Sequence, residues 1–239
     1  MADKLFFFVD PKNIVDSNFT LDKTESKHLL KVLRVKVGSE IWLTDGCGKS
    51  YRAIFKKSRN DIVSGKILDV LPQYGENALK ISCAIGILKK NKMDLVVEKN
   101  TELGTTRIIP LILDRGIKLN VNVERLQKIA KAAIKQCGRS VIPEIFNPIK
   151  LADLLKTYEN NNLIVCHDSG KPIDSQLLKS AKNNKEILLL IGPEGDFSNS
   201  EIMLLKKHDA KFINLGKRRL RSETAVVVAL SLLNNILDN

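Results

Sequence analysis

Two apolar strands, each running into a turn that carries glycine, occupy Ile187–Thr224 and constrain this chain more than any other stretch. The first half reads ILLLIGPEGDFSNSE and the second FINLGKRRLRSETA. Ile187–Ile191 is a run of isoleucine and leucine that stops at Gly192-Pro193. Ser198, with Glu201 three residues later, spells a capping box that opens a helix. Phe212–Leu215 ends in the same manner at Gly216, and Ser222 is placed to cap a helix running nearly to residue 239. Two loops that leave parallel strands on one side of a sheet lie where open α/β sheets bind ligands. They offer glycines and backbone amides rather than side chains able to do bond chemistry alone, which suits a ligand held largely by main-chain contacts.

Elsewhere the pattern divides in two. Residues 1–73 hold short β-rich runs, LFFFV (5–9), EIWLT (40–44), YRAIF (51–55) and IVSGKILDV (62–70), with Asp45-Gly46 and Gly48 making a hairpin loop. Between the first two runs, Leu29, Leu30, Val32 and Leu33 suggest one short helix before Gly38, presenting His28, Lys31 and Arg34. Leu71–Gly75 reads as a linker. From residue 74 strands and helices alternate: strands at 81–87, 107–113 and 163–167, helices at 93–103, 123–137, 151–158 and 173–182. That alternation predicts a mostly parallel α/β sheet. Pro110 inside its strand points to an edge position or a bulge. In the 123–137 helix Arg125, Lys128, Lys131 and Lys135 lie away from the apolar face, as an RNA-facing or a merely solvated surface. The final helix is apolar nearly all round, and a second copy of the chain would bury it on both sides, so a homodimer is expected.

The balance of 39 basic against 27 acidic residues, net +12, favours a polyanionic partner, although a lysine-rich proteome would give the same count. Both parts are basic, +4 up to residue 73 and +8 beyond it. The four cysteines and three histidines show no paired spacing, so neither a disulfide framework nor a metal site is expected. Leu5–Val9 is too short for a signal peptide, and Ala225–Leu230, the longest apolar run, is too short for a membrane span. A soluble, cytoplasmic protein is the expectation. Gly48-Lys49-Ser50 imitates the end of a phosphate-binding loop, but the motif needs glycine where Leu43 stands and a helix after it. No dinucleotide fingerprint and no nucleophile–histidine pair is present. A cationic group donor for RNA would fit the glycine-lined loops beside Lys217, Arg218, Arg219 and Arg221.

IGPEG (191–195) with LGKRRLRSETA (215–225) resembles the paired C-terminal signature of the SPOUT methyltransferases, specifically the RsmE family, which methylates uridine N3 in 16S ribosomal RNA. KKNKMDLVVEKNTELGTTRIIPLI (89–112) and AAIKQCGRSVIPEI (132–145) are similar to further family segments, and HLLKVLRVKVGSEIWLTDG (28–46) resembles its PUA-like barrel. The likeness spans nearly the whole chain. It implies an α/β fold: a PUA-like β-barrel domain over 1–73, then a SPOUT methyltransferase domain over 74–239 with a parallel sheet and a C-terminal trefoil knot. It further implies S-adenosyl-L-methionine as cofactor, a homodimer, and 16S rRNA or the small ribosomal subunit as partner. Another SPOUT activity on the ribose 2′-oxygen, and a non-catalytic RNA-binding assembly factor, stay open. Site residues expected on this basis are Arg221, Glu223 and Glu194 for catalysis. Ile191, Gly192, Pro193, Gly195, Leu215, Gly216, Leu220, Thr224 and His167 are expected to hold the cofactor, and Lys31, Arg34, Arg139 and Arg219 the RNA. Asp196, where the family usually has glycine, and Glu98, where it has glutamine, depart from the pattern.

Overall fold

The computed structural model describes residues 4–117, 120–158, 162–173 and 186–238. The helix expected over 173–182 lies almost wholly outside them. The chain forms two compact units, Met1–Glu76 with Lys131–Ile142, and Asn77–Ala130 with Pro143–Asn239. The first break falls beside the Leu71–Gly75 linker, but the return of Lys131–Ile142 to the first unit has no counterpart in the 73/74 boundary read from sequence.

In the first unit β1 (Phe6–Phe8), β2 (Ile14–Val15), β3 (Asn18–Thr20), β4 (Glu40–Thr44), β5 (Lys49–Arg59) and β6 (Ile62–Pro72) form a sheet in the order β1-β4-β5-β6-β3-β2. Alternation along the strands sends Phe7, Ile41, Leu43, Ala53, Phe55 and Val63 into one core. The β4–β5 hairpin is fixed by Asp45. Its Oδ1 accepts from the backbone amides of Cys47 at 2.8 Å and Lys49 at 3.0 Å, while Gly46 and Gly48 take φ of +71° and +111°. The helical stretch after Asp22 is α1 (Lys23–Lys27), continued by a single wide π-helical turn over His28–Val32. Lys131–Ile142 is bound to this unit by a buried ion pair. Glu76 takes Arg139 Nη2 at 2.6 Å and the backbone amides of Ser140 and Val141 at 2.9 Å each, and Arg139 is 2% exposed.

In the second unit every pairing in the sheet is parallel, and its order is β10-β8-β7-β12-β11-β13. The strands are β7 (Lys80–Gly86), β8 (Arg107–Ile112), β10 (Ile149–Lys150), β11 (Asn162–Pro172), β12 (Glu186–Ile191) and β13 (Lys211–Asn214), with β9 (Glu144–Ile145) also beside β8. Strand β12 enters between β7 and β11 although both precede it in sequence. With neighbours on both sides it reads as an unbroken apolar run, and Ile187–Ile191 is buried throughout. Helices α2 (Lys90–Glu102), α3 (Val123–Cys137), α4 (Leu151–Thr157), α5 (Asn199–Lys207) and α6 (Ser222–Asp238) connect or flank the strands.

Two local expectations are corrected. Pro110 is on no edge: β7 runs along one side of β8, and on the other β9 covers Arg107–Ile108 while β10 covers Leu111–Ile112. Ile109 and Pro110 fall in the gap between those two short strands, where the missing N–H costs least. Ser222 is the first residue of α6 rather than its cap, because the Arg221 carbonyl accepts from Ala225 N at 2.8 Å and puts Arg221 at the capping position. The cations of α3 are also largely engaged. Arg125 pairs with Asp94, Lys135 meets Glu25 at 2.6 Å, and Lys131 lies 3.5 Å from the centre of the Phe8 ring.

Candidate active site

Three strand ends build the site. In register, Ile213, Cys166, Ile191 and Ile85 form one row across β13, β11, β12 and β7, and the chain leaves the sheet just beyond it. Along β13, Ile213 opposes both Cys166 and Lys171, so residues 167–170 bulge out of the ladder and carry His167 and Asp168 forward. A cleft of about 320 Å³ opens there. Its walls are Cys166–Asp168, Ile191–Glu194 with Asp196, and Leu215–Gly216 with Arg218–Ser222 and Ala225.

Glycine is required by contact at one wall and by backbone conformation at the other. A Cβ on Gly192 would lie 2.8 Å from Asp196 Oδ1 and 3.0 Å from its Cα, and one on Gly86 would lie 2.6 Å from Pro193 N. Gly216 has open space around it but a φ of +121°, which an L side chain rarely adopts. Asn214 fixes this second loop, accepting from Gly216 N at 2.7 Å and donating to the Asp168 carbonyl at 2.9 Å. In the first loop the capping box is present as expected, with Ser198 N donating to Glu201 Oε2 at 2.7 Å. Asp196 stands at φ +61°, its amide donating to the Pro193 carbonyl and its Oδ1 accepting from Phe197 N. Ser169 N donates to His167 Nδ1 at 3.1 Å, so in neutral His167 the proton sits on Nε2, which faces Asp196 Oδ2 at 3.6 Å.

The charges at the cleft are mixed. Arg218, Arg219 and Arg221 are exposed along its wall, and Arg219 Nη2 reaches toward the Glu194 carbonyl at 3.5 Å. Lys92 of α2 donates to Glu194 Oε1 at 2.9 Å and stands 3.6 Å from Glu223 Oε2. The bond from Lys92 holds the Glu194 carboxyl below the usual range, and the same bond raises Lys92. Burial pushes the Cys166 thiol up, so it stays protonated and is a poor nucleophile. Among the described residues no three His, Cys, Asp or Glu side chains group as a metal site, and no helix is long and apolar enough to cross a membrane.

A family model described as an RNA methyltransferase domain matches residues 75–234, and one described as an RNA methyltransferase PUA domain matches residues 21–68. Ribosomal RNA small subunit methyltransferase E of Rickettsia conorii is 31% identical over 94% of this chain and 92% of its own length. The chain belongs to the ribosomal RNA small subunit methyltransferase E family. The methyltransferase E of Neisseria gonorrhoeae, solved bound to S-adenosyl methionine, has 26% identity and a TM-score of 0.85, with 98% of each chain covered. A methyltransferase of Legionella pneumophila, solved with the cofactor SAM bound, has 28% identity and a TM-score of 0.82 at the same coverage. The fold is that of the methyltransferase E family, a PUA-like β unit joined to a parallel α/β sheet.

Of the residues expected at the site from the methyltransferase E signature, Ile191, Gly192, Pro193, Glu194, Leu215, Gly216, Leu220, Arg219, Arg221 and His167 line the cleft together. Thr224 does not; it is exposed in the first turn of α6 and outside the lining that its neighbour Ala225 joins. Gly195 is also outside the lining, packed instead against Arg115, whose Cβ would lie 3.0 Å from a Cβ there. Glu223 stands behind the wall, reached through Lys92. Arg139 is corrected as an RNA contact, because the Glu76 carboxylate buries it. Lys31 and Arg34 are exposed on the first unit, Lys31 paired with Asp61 at 3.1 Å and Arg34 at φ +52°. Glu98 is taken up by Lys99 at 2.8 Å. Arg218, expected beside the loops with its neighbouring cations, lines the cleft as well. Lys92, Asp168 and Gly86 are absent from the sequence reading of the site; the only signal for Lys92 is the cationic run Lys89-Lys90-Asn91-Lys92 at a helix start.

Proposed function

We propose that this chain is an S-adenosylmethionine-dependent methyltransferase that methylates N3 of a uridine in 16S ribosomal RNA of the small subunit. The observation that carries the reading is the cleft at the ends of β11, β12 and β13, with apolar Ile191, Leu215, Leu220 and Ala225, close-approach glycine at 192, and both Arg221 and Glu194 in its lining. Its residues fit the cofactor: flat apolar surface for an adenine, backbone amides for its polar edge, and a volume within the range of small-molecule sites. Ile191, Gly192, Pro193, Leu215, Gly216, Leu220 and His167 would hold it. When bound, the cofactor supplies an electrophilic methyl group.

The acceptor nitrogen carries a proton at neutral pH, so the chain has to remove it and stabilise the negative charge that develops on the ring. The Arg221 guanidinium, exposed at the cleft wall, is suited to the second task through the uracil oxygens. Glu194, ionised by its bond to Lys92, is suited to the first. Glu223 supports it from behind the wall. Lys31 and Arg34 on the PUA-like unit and Arg219 at the cleft are assigned to phosphate contacts, which position RNA without reading its sequence. The chain acts as a homodimer in the cytoplasm, α6 supplying the apolar surface between copies.

The direct test incubates the protein and labelled cofactor with unmodified small subunits, then maps the methyl group by mass spectrometry. A methyl on uracil N3 supports the reading, and one on a ribose oxygen replaces it with the 2′-O activity. Arg221→Ala should keep cofactor affinity and slow transfer roughly a hundredfold, the scale of a lost oxyanion donor; undiminished turnover removes Arg221 from the mechanism.

A further inference from the structure

Lys92 is placed at some cost. Helix α2 has no acidic residue in its first turn and no side-chain cap, and Lys89, Lys90 and Lys92 put positive charge where the helix dipole is already positive. What offsets this comes from two other elements: Glu194 in the loop after β12 and Glu223 in the first turn of α6. The three side chains are 27%, 31% and 11% exposed. Two carboxylates thus face the one ammonium group of Lys92. The lysine is bonded to Glu194 at 2.9 Å but stands off Glu223 at 3.6 Å, and Glu223 Oε2 is buried with no hydrogen-bond donor. An unfilled acceptor 3.6 Å from a donor has a use if that donor moves to it during turnover.

We propose that Lys92 is a positioning residue: it holds Glu194 at the cleft wall as the carboxylate that accepts the N3 proton, and shifts its hydrogen bond to Glu223 once that proton has arrived. The inference rests on the functional reading above. In the step, the N3–H bond breaks and its electron pair stays on the ring nitrogen to form the N3–CH3 bond; the methyl group would come from the sulfonium of the bound cofactor, whose S–CH3 electron pair would remain on sulfur as a neutral thioether. The proton ends on a Glu194 oxygen. A neutral Glu194 no longer holds the ammonium group, and the unpartnered oxygen of Glu223 receives it. The other charges facing the trio are Lys89 and Arg219 toward Glu194 and Arg221 toward Lys92. All three are cations, but among the described residues only Lys92 donates to Glu194 Oε1; Arg219 reaches the Glu194 carbonyl instead.

Removing Lys92 raises the pKa of Glu194, because its folded value is depressed chiefly by that bond. A base with a higher pKa is deprotonated only at higher pH, so the acid limb of the rate profile moves up. In Lys92→Met, cofactor affinity by calorimetry should stay within about twofold, kcat should fall at least about tenfold, and the acid limb should shift to higher pH, with Lys92→Arg restoring most of both. Carbon-detected titration of glutamate-labelled, cofactor-free protein gives a readout independent of turnover, in which the Glu194 midpoint should rise in Lys92→Met. The proposal is overturned if that midpoint is unmoved, or if affinity and kcat fall together in Lys92→Met. Should the wild-type protein transfer no methyl group while the Glu194 midpoint still moves, the hold of Lys92 on Glu194 stands and the functional reading falls.

Discussion

Gly192 and Gly216 are alike in sequence and different in what they forbid. At Gly192 the obstacle is matter, since Asp196 Oδ1 and Cα stand 2.8 and 3.0 Å from any Cβ, whereas at Gly216 it is conformation, with no atom within 4 Å and a φ of +121°. Gly192→Ala must therefore displace the Asp196 turn, which lines the cleft. Cofactor affinity measured by calorimetry should drop about tenfold or more, about 1.4 kcal/mol, and an unchanged affinity would show that this turn does not touch the ligand. Asp196 itself pays for its left-handed conformation with two local bonds, and faces His167 across the cleft. The strand-glycine pattern made the backbone of this site legible from sequence alone. The charged partners were not, because pairing across long separations leaves no local trace: Lys92 finds Glu194 and Glu223 over a hundred residues on, and Arg139 looked like a free cation until Glu76 enclosed it.

Among the elements, α3 shows how a good periodic pattern can conceal its role. Its apolar face was evident from Leu126, Ala130, Ala133 and Ile134, all buried, but its polar face was ambiguous between RNA and solvent. The structure assigns much of that face to neither, through Asp94, Glu25 and the Phe8 ring. The segment after the helix is anchored more firmly. Glu76 accepts from Arg139, Ser140 and Val141, and the Thr44 hydroxyl donates to the Arg139 carbonyl at 2.9 Å. Removing one member of a pair buried to this degree leaves its partner uncompensated. Glu76→Ala is expected to destabilise the protein by about 3 kcal/mol in urea unfolding, a lower midpoint with a similar slope. A loss under about 1 kcal/mol would mean that water replaces the carboxylate at no great cost.

For the whole molecule, the parallel sheet and the small β unit followed from the alternation of apolar runs, while the joining of Lys131–Ile142 to the first unit depended on tertiary contacts no window of sequence contains. The same limit applies to assembly. Helix α6 buries Ala225, Val226, Ala229, Leu230 and Leu233 within the chain, but Val228, Leu232 and Ile236, spaced by four on another face, are only partly covered. A stripe of that spacing is what a second copy packs against in a two-fold contact, each α6 meeting its twin. Sedimentation at micromolar concentration should give twice the 26.7 kDa chain mass. Leu232→Glu places a charge in the stripe without touching the buried face, so it should give a monomer whose far-ultraviolet spectrum and cofactor cleft are retained. If the wild-type chain sediments as a monomer, or Leu232→Glu remains a dimer, the surface between copies lies elsewhere and the partial exposure of α6 has to be explained by another partner.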